Sequence, residues 1–215
     1  WDIVRASIQT KQWDRPANAR FLLHGVTGSG KTEIYLRAIK QTLAQGRQAI
    51  FLVPEIALTS QTIRRVAERF PEQVAIVHGS LPTGERYDTW QRARAGEIGV
   101  IVGTRSALFT PLPDIGLIIL DEEHDASYKQ DPPVIEPHYH ARDVAEILME
   151  SNHGVLILGS ATPDLVTYHH TQRGHYTYLH LPNRIMGHRQ RIEEQAKRVG
   201  VTAKYHPAQE DALHI

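Results

Sequence analysis

The chain of 215 residues contains no cysteine. A disulfide framework, a thiol nucleophile and a Cys-ligated zinc are therefore excluded within it. No apolar run approaches the roughly 20 residues that a membrane span needs, and Trp1-Asp2-Ile3-Val4-Arg5 has none of the pattern of a signal peptide. No membrane partner is expected, and the cytoplasm is the default compartment. An excess of charge of one sign is missing too: 24 Lys and Arg balance 24 Asp and Glu, so a polyanion would have to be met by a local patch. Repeats and low-complexity tracts are absent. What remains is an ordinary globular composition, 41% hydrophobic and 22% charged, at a length that suits one α/β domain or one lobe of something larger. The chain starts at Trp1 within the helix-like pattern of Trp1 to Ile8. It is read as a piece of a longer protein, cut inside a helix.

Six short apolar runs recur: 21–23, 49–53, 74–77, 99–102, 117–120 and 155–158. Their lack of polar alternation suits parallel strands covered on both faces. Helix-like stretches separate most of them, at Lys31 to Ala44, Leu58 to Phe70, Thr83 to Ala95, Ala141 to Glu150 and Pro163 to Gln172. Gly46 and Gly96 stand just past two of these and Pro163 opens another. The β-α alternation predicts a three-layer α/β sandwich with a mostly parallel sheet. The stretch Ala126 to Pro137 has no periodicity and holds Pro132, Pro133 and Pro137, which reads as a long loop after a strand end. From Arg184 to Lys204 six Lys and Arg face two Glu, as in a basic amphipathic helix or a linker.

Gly25-Val26-Thr27-Gly28-Ser29-Gly30-Lys31-Thr32 satisfies G-x-x-x-x-G-K-[ST] between a predicted strand and a predicted helix. In that setting the backbone N–H groups of the loop cradle phosphates, Lys31 reaches the β- and γ-phosphates, and the Thr32 hydroxyl ligates Mg²⁺. Gly25, Thr27, Gly28, Ser29, Gly30, Lys31 and Thr32 are the candidate nucleotide-binding residues. The run Leu117 to Leu120 ends in Asp121-Glu122-Glu123-His124, which brings carboxylates to the carboxyl end of a strand. Asp121 would join the Mg²⁺ shell, commonly through water, and Glu122 would orient and polarise the attacking water. A nucleoside triphosphate and Mg²⁺ are thus the expected ligands, ATP being the one that the resemblance below implies, with Glu122 and Lys31 as catalytic residues.

Gly159-Ser160-Ala161-Thr162-Pro163 follows the next apolar strand. With the D-E-x-H strand it resembles the DEAD/DEAH-like superfamily 2 helicases, in which Asp121 to His124 would be motif II and Ser160-Ala161-Thr162 motif III. The resemblance implies that Ser160 and Thr162 link the nucleotide state to the DNA-bound state of two lobes. Further runs narrow it: Thr32-Glu33-Ile34-Tyr35 after the glycine loop, Val53 to Thr59, Gly103-Thr104-Arg105-Ser106-Ala107-Leu108-Phe109, Ser127-Tyr128-Lys129-Gln130 and Tyr139-His140-Ala141-Arg142-Asp143. In order, they are similar to those of the bacterial replication-restart helicases of the primosome, over about residues 18–184. The resemblance implies residues 1–183 as a first RecA-like lobe, truncated at its start, and 184–215 as a basic interlobe insertion or linker. It implies a 3′→5′ DNA helicase that acts on forked or single-stranded DNA with primosome proteins and single-strand-binding protein. Zinc would belong only to parts of the parent outside this chain, as would the second lobe's arginine, so the chain alone should be nearly inactive. A different superfamily 2 P-loop ATPase, or a nucleotide-gated DNA-binding module, is the alternative.

Thr104 and Arg105 end a predicted strand where such helicases touch the single-strand backbone, and Pro54-Glu55-Ile56 resembles motif Ia on the same face. Tyr128 is expected to be an exposed aromatic on which a base stacks, coupling DNA to ATP, whereas Tyr139 is balanced between that role and core packing. His138 with His140 and His169 with His170 lack i,i+4 spacing and an obvious third ligand, so no zinc site is assigned. Arg64, Arg65 and Arg69 read as a solvated helix face.

Overall fold

Each of the six apolar runs forms a strand, and a seventh strand follows them. The structure, a computed structural model, describes residues 1–10, 19–57, 61–130 and 137–184. In chain order the elements are α1 (Asp2–Gln9), β1 (Arg20–Gly25), α2 (Lys31–Leu43), β2 (Gln48–Leu52), α3 (Gln61–Arg69), β3 (Val74–Val77), α4 (Thr83–Arg94) and β4 (Val100–Gly103). There follow β5 (Ile115–Asp121), α5 (Ala141–Ser151), β6 (Val155–Ser160), α6 (Leu165–Gln172) and β7 (Thr177–Leu181). The strands make one sheet in the order β3-β4-β2-β5-β6-β1-β7, with every pair parallel. Of the proposed second segment, residues 185–215 lie outside the described residues.

The two-residue period of the strands divides the core into two layers. Phe21, Leu23, Ala49, Phe51, Val100, Leu117, Ile119 and Ile157 face one side, with Val4 and Ile8 of α1, Tyr35, Ala38 and Ile39 of α2, and Val66 of α3. Leu22, Ile50, Leu52, Ile101, Ile118, Leu120, Leu156 and Leu158 face the other, against Ala141, Ala145 and Met149 of α5. Burial on both faces is why the central strands carry no polar alternation. β7 pairs only with β1 and is largely exposed, so it has no apolar run to announce it. β3, at the opposite edge, leaves Ile76 exposed.

At the amino end of the strands Arg47 clamps the layers. It is buried, and its guanidinium donates to Asp114 at 2.8 Å and to the carbonyls of Ile115, Asn152 and His153. The carboxyl ends are left for the chemistry, as in open α/β sheets generally. Among the described residues no helix is long and apolar enough to cross a membrane.

Candidate active site

β1 stops at Gly25 and α2 begins at Lys31, so the glycine loop is a strand-to-helix turn. Gly28 (φ 82°) and Gly30 (φ 96°) adopt left-handed backbone that a Cβ would strain. Gly30 is the N-cap of α2, and the first N–H groups of a helix have no acceptor within it. Those of Lys31 and Thr32 are therefore anion donors by position. Lys31 is buried; its Nζ donates to the Gly25 carbonyl at 2.7 Å and lies 3.8 Å from Glu122 Oε1. Ser29 Oγ is buried with no hydrogen-bond partner among the described residues. A buried polar atom left unpaired costs about 1–3 kcal/mol, and here it sits inside the loop that would enclose phosphate. Thr27 and Gly28 are exposed on the rim, and Thr32 is half-buried.

Asp121 ends β5, in register with Gly159 of β6. Tyr35 reaches across from α2 and donates to Asp121 Oδ1 at 3.0 Å. Gly159 makes this crossing feasible, because any Cβ there would collide with the Tyr35 hydroxyl. Burial, followed by the adjacent Glu122 carboxylate, pushes Asp121 up to about 6, against the opposing pull of Tyr35 and Lys31. The site thus holds more negative charge than its one ammonium offsets. Carboxylate and hydroxyl oxygens from Asp121 and Thr32 are the hard donors that Mg²⁺ takes, so the residues present fit that ion. Glu122 has φ 49°, a left-handed conformation uncommon outside glycine. It is held by the bonds on either side: Glu123 N–H donates to Gly159 O at 3.0 Å and Asp125 N–H to Glu122 O at 2.8 Å. The turn swings Glu122 away from the strand line toward Lys31, as backbone strain at functional positions often does.

The two residues after Glu122 face different ways. Glu123 is 1% exposed and accepts from the Asp164 amide at 2.8 Å and the Thr167 hydroxyl at 2.9 Å, with Arg142 at 4.0 Å. Its carboxylate anchors the start of α6, which Asp164 caps, so the helix begins at Leu165 and not at the expected Pro163. Burial raises Glu123, opposed by those hydrogen bonds. His124 turns instead to the β6 exit: its Nδ1 lies 2.8 Å from Ser160 Oγ and its Nε2 3.4 Å from Thr162 Oγ1. Ser160 Oγ also accepts from the Thr162 amide at 2.9 Å. The two segments singled out in sequence as D-E-x-H and G-S-A-T-P are therefore in direct contact.

One expectation is corrected, and two DNA-contact candidates lie in settings of their own. Tyr128 is not an exposed stacking platform: it is 1% exposed, sits in the α5-side core layer, and donates to the Asp121 carbonyl at 2.7 Å. A 3-10 turn at Ala126–Tyr128, capped by Asp125, folds it inward. Thr104 is 5% exposed, so its hydroxyl is not displayed to a passing strand. Arg105 is half-buried and engaged, donating from Nη1 to the carbonyls of Ser127 (3.2 Å) and Lys129 (2.6 Å). Tyr139, by contrast, is only partly covered; it meets the Arg105 guanidinium face-on at 5.7 Å and Phe109 edge-on at 5.3 Å. Tyr128→Ala should therefore lower stability by about 3–5 kcal/mol. Tyr128→Phe, which loses only the bond to Asp121, should cost about 0.5–1.5 kcal/mol. Thermal melts of the pair check this; an unshifted melt for Tyr128→Ala would contradict the buried placement.

Sequence reasoning missed Tyr35 as a partner of Asp121, and the Glu123–Thr167–Arg142 network. The only available signal for Tyr35 was its spacing of one helical turn from Lys31 on an otherwise apolar face.

A sequence model of the DEAD/DEAH box helicase family matches residues 6–170. Replication restart protein PriA of Bacillus subtilis (strain 168) is 51% identical over 165 residues, which cover 77% of this chain and 20% of that protein. The PriA protein of Haemophilus influenzae (strain Rd) is 48% identical over 164 residues, 76% of this chain and 22% of its own length. The chain thus spans about a fifth of the curated relatives it matches. In fold it is similar to RecG bound to a three-way DNA junction, at 22% identity with a TM-score of 0.59 over 92% of this chain and 26% of RecG. It is also similar to the Pyrococcus furiosus Hef helicase domain, at 21% identity with a TM-score of 0.55 over 83% of this chain and 37% of Hef.

Proposed function

The chain belongs to the DEAD/DEAH box helicase family, and from that premise we propose that it is the ATP-binding first lobe of a 3′→5′ DNA helicase that restarts stalled replication forks. The observation that carries the reading is the convergence of Lys31 and Glu122, 3.8 Å apart, beside a loop of N–H donors, with His124 lying between Glu122 (3.7 Å) and Ser160 (2.8 Å).

ATP is the substrate this site suits. The loop amides and Lys31 hold the phosphate chain, and Ser29 Oγ, which lacks a partner among the described residues, would gain one. Lys31 then exchanges its bond to the Gly25 carbonyl for phosphate oxygen. Thr32 and Asp121 would hold Mg²⁺, which supplies charge neutralisation on the phosphates. Tyr35 fixes one Asp121 oxygen and so limits how the carboxylate can turn. Glu122, aimed by its left-handed backbone, orients a water and draws on its proton as the oxygen attacks the γ-phosphorus. The bond to the bridging oxygen breaks and ADP leaves. Glu123 cannot share this task, since its carboxylate is enclosed by Thr167 and the Asp164 amide.

Segment 1–183 is read as one lobe and 184–215 as an interlobe insertion or linker. A second lobe would complete the site with an arginine. The relatives are long enough to hold such a lobe, since the match covers about a fifth of their length. Forked or single-stranded DNA is the proposed polymer, with primosome proteins and single-strand-binding protein as partners, and any zinc would sit outside this lobe. The reading is tested by ATP hydrolysis in the longer protein that carries this lobe, measured with and without forked DNA bearing a single-stranded arm. The rate should rise several-fold with the fork. An equal rate in both would contradict a DNA-coupled motor.

A further inference from the structure

Glu123 follows the water-orienting Glu122 directly, yet its carboxylate is turned into the protein, where α5 and α6 begin. A buried charge persists when it is paired and hydrogen-bonded, and here the pairing is indirect. The cation is Arg142, the second residue of α5, whose Nη1 lies 4.0 Å from Glu123 Oε2, too far for a hydrogen bond. Thr167, the third residue of α6 and fully buried, fills the gap. Its Oγ1 lies 2.6 Å from Arg142 Nη1 and 2.9 Å from Glu123 Oε2. Chemistry fixes the directions: a guanidinium only donates and an ionised carboxylate only accepts, so the Thr167 hydroxyl accepts from Arg142 and gives its one hydrogen to Glu123. The other oxygen, Oε1, accepts from the Asp164 amide at 2.8 Å, which closes the start of α6 on the same carboxylate.

Glu122 needs such support. Its φ of 49° is a strained conformation for a residue with a side chain, and it persists only where the surrounding structure over-determines it. Two of its restraints are backbone bonds at the strand ends, from Glu123 N–H to Gly159 O and from Asp125 N–H to Glu122 O. The Glu123 carboxylate is the restraint that reaches beyond the strands to two helices. We propose that Thr167 is a positioning residue for ATP hydrolysis: by relaying Arg142 to Glu123 it holds the turn that aims Glu122 at the attacking water. The proposal rests on the helicase reading above and deepens it, since it places a determinant of turnover on α6, outside the phosphate loop and the acidic strand end. The Thr167 hydroxyl bonds Arg142 and Glu123 and not the phosphate loop, so its loss should act on turnover and spare nucleotide affinity.

The test uses the longer protein that carries this lobe, with steady-state ATP hydrolysis on forked DNA, equilibrium binding of Mg-ADP and a melt for each variant. Thr167→Val keeps the volume of the side chain and removes the relay. It should lower kcat by about ten- to a hundred-fold, the range for a slight misplacement of a reacting group, with Mg-ADP affinity within about two-fold of wild type. Thr167→Ser keeps the hydroxyl and should hold kcat within about three-fold of wild type. A merely structural Thr167 predicts something else: lower melts for both variants, and wild-type kcat at temperatures below those melts. Should Thr167→Val not fold, Glu123→Gln replaces it, because an amide has one oxygen and cannot accept from both Asp164 and Thr167; the same fall in kcat with nucleotide affinity kept is expected. Unchanged kcat in whichever of these two variants folds, an equal fall in Thr167→Ser, or a loss of nucleotide affinity that matches the fall in kcat would overturn the positioning role. If the wild type hydrolyses ATP in those cases the helicase reading survives, and if the wild type does not hydrolyse ATP both fall.

Discussion

Glu122→Gln in the longer protein is expected to lower ATP hydrolysis by about 10²–10⁴, the usual range for losing a positioned general base, while leaving nucleotide affinity within about two-fold. The substitution keeps the shape of the side chain and removes its ability to take a proton. Ground-state phosphate contacts belong to Lys31 and the loop amides, so binding and turnover should separate. Steady-state rates beside equilibrium nucleotide binding check the split. A variant with near-normal turnover would contradict the role given to Glu122, and Glu123 could not replace it, because it is buried and accepts from Asp164 N–H and the Thr167 hydroxyl.

The second large effect concerns the chain on its own. Among the described residues Lys31 and His124 approach Glu122, at 3.8 and 3.7 Å, no arginine does, and Arg105 and Arg142 are engaged elsewhere. A site that awaits an arginine from another lobe forfeits about 10³–10⁵ in rate. The chain should therefore turn over ATP slower than the longer protein by that factor, with DNA making no difference. DNA-stimulated turnover by the 215 residues at the rate of the longer protein would contradict a site divided between lobes.

The glycine loop and the acidic strand end were legible because each is a local pattern: special backbone at Gly28 and Gly30, and a run of apolar residues that stops at carboxylates. The central strands were legible for a similar reason, since burial on both faces leaves unbroken apolar runs. β7 was not, because an exposed edge strand such as Thr177–Leu181 needs no such run. Tyr128 was misread because its loop looks irregular and proline-rich, and an aromatic in such a loop reads as exposed. A single 3-10 turn capped by Asp125 buries it, and no sequence period records that turn. Glu123 illustrates the same limit. Three consecutive acids look alike in sequence, yet one fits a cation, one turns on a left-handed backbone toward Lys31, and one is buried against Thr167. The pairing of Tyr35 with Asp121 depends on Gly159 in a third element, a relation that only the assembled sheet reveals.

The central claim is that the glycine loop of this chain binds the phosphates of ATP through Lys31. It is tested most directly by calorimetric titration of Mg-ATP into the chain and into Lys31→Ala, with a melt of each to show that both fold. Saturable binding that depends on Mg²⁺, weakened ten-fold or more in Lys31→Ala, is predicted, since a charge-assisted bond contributes about 1.5–3 kcal/mol. Affinity that is unchanged by Lys31→Ala, or absent from the folded wild type, would contradict it.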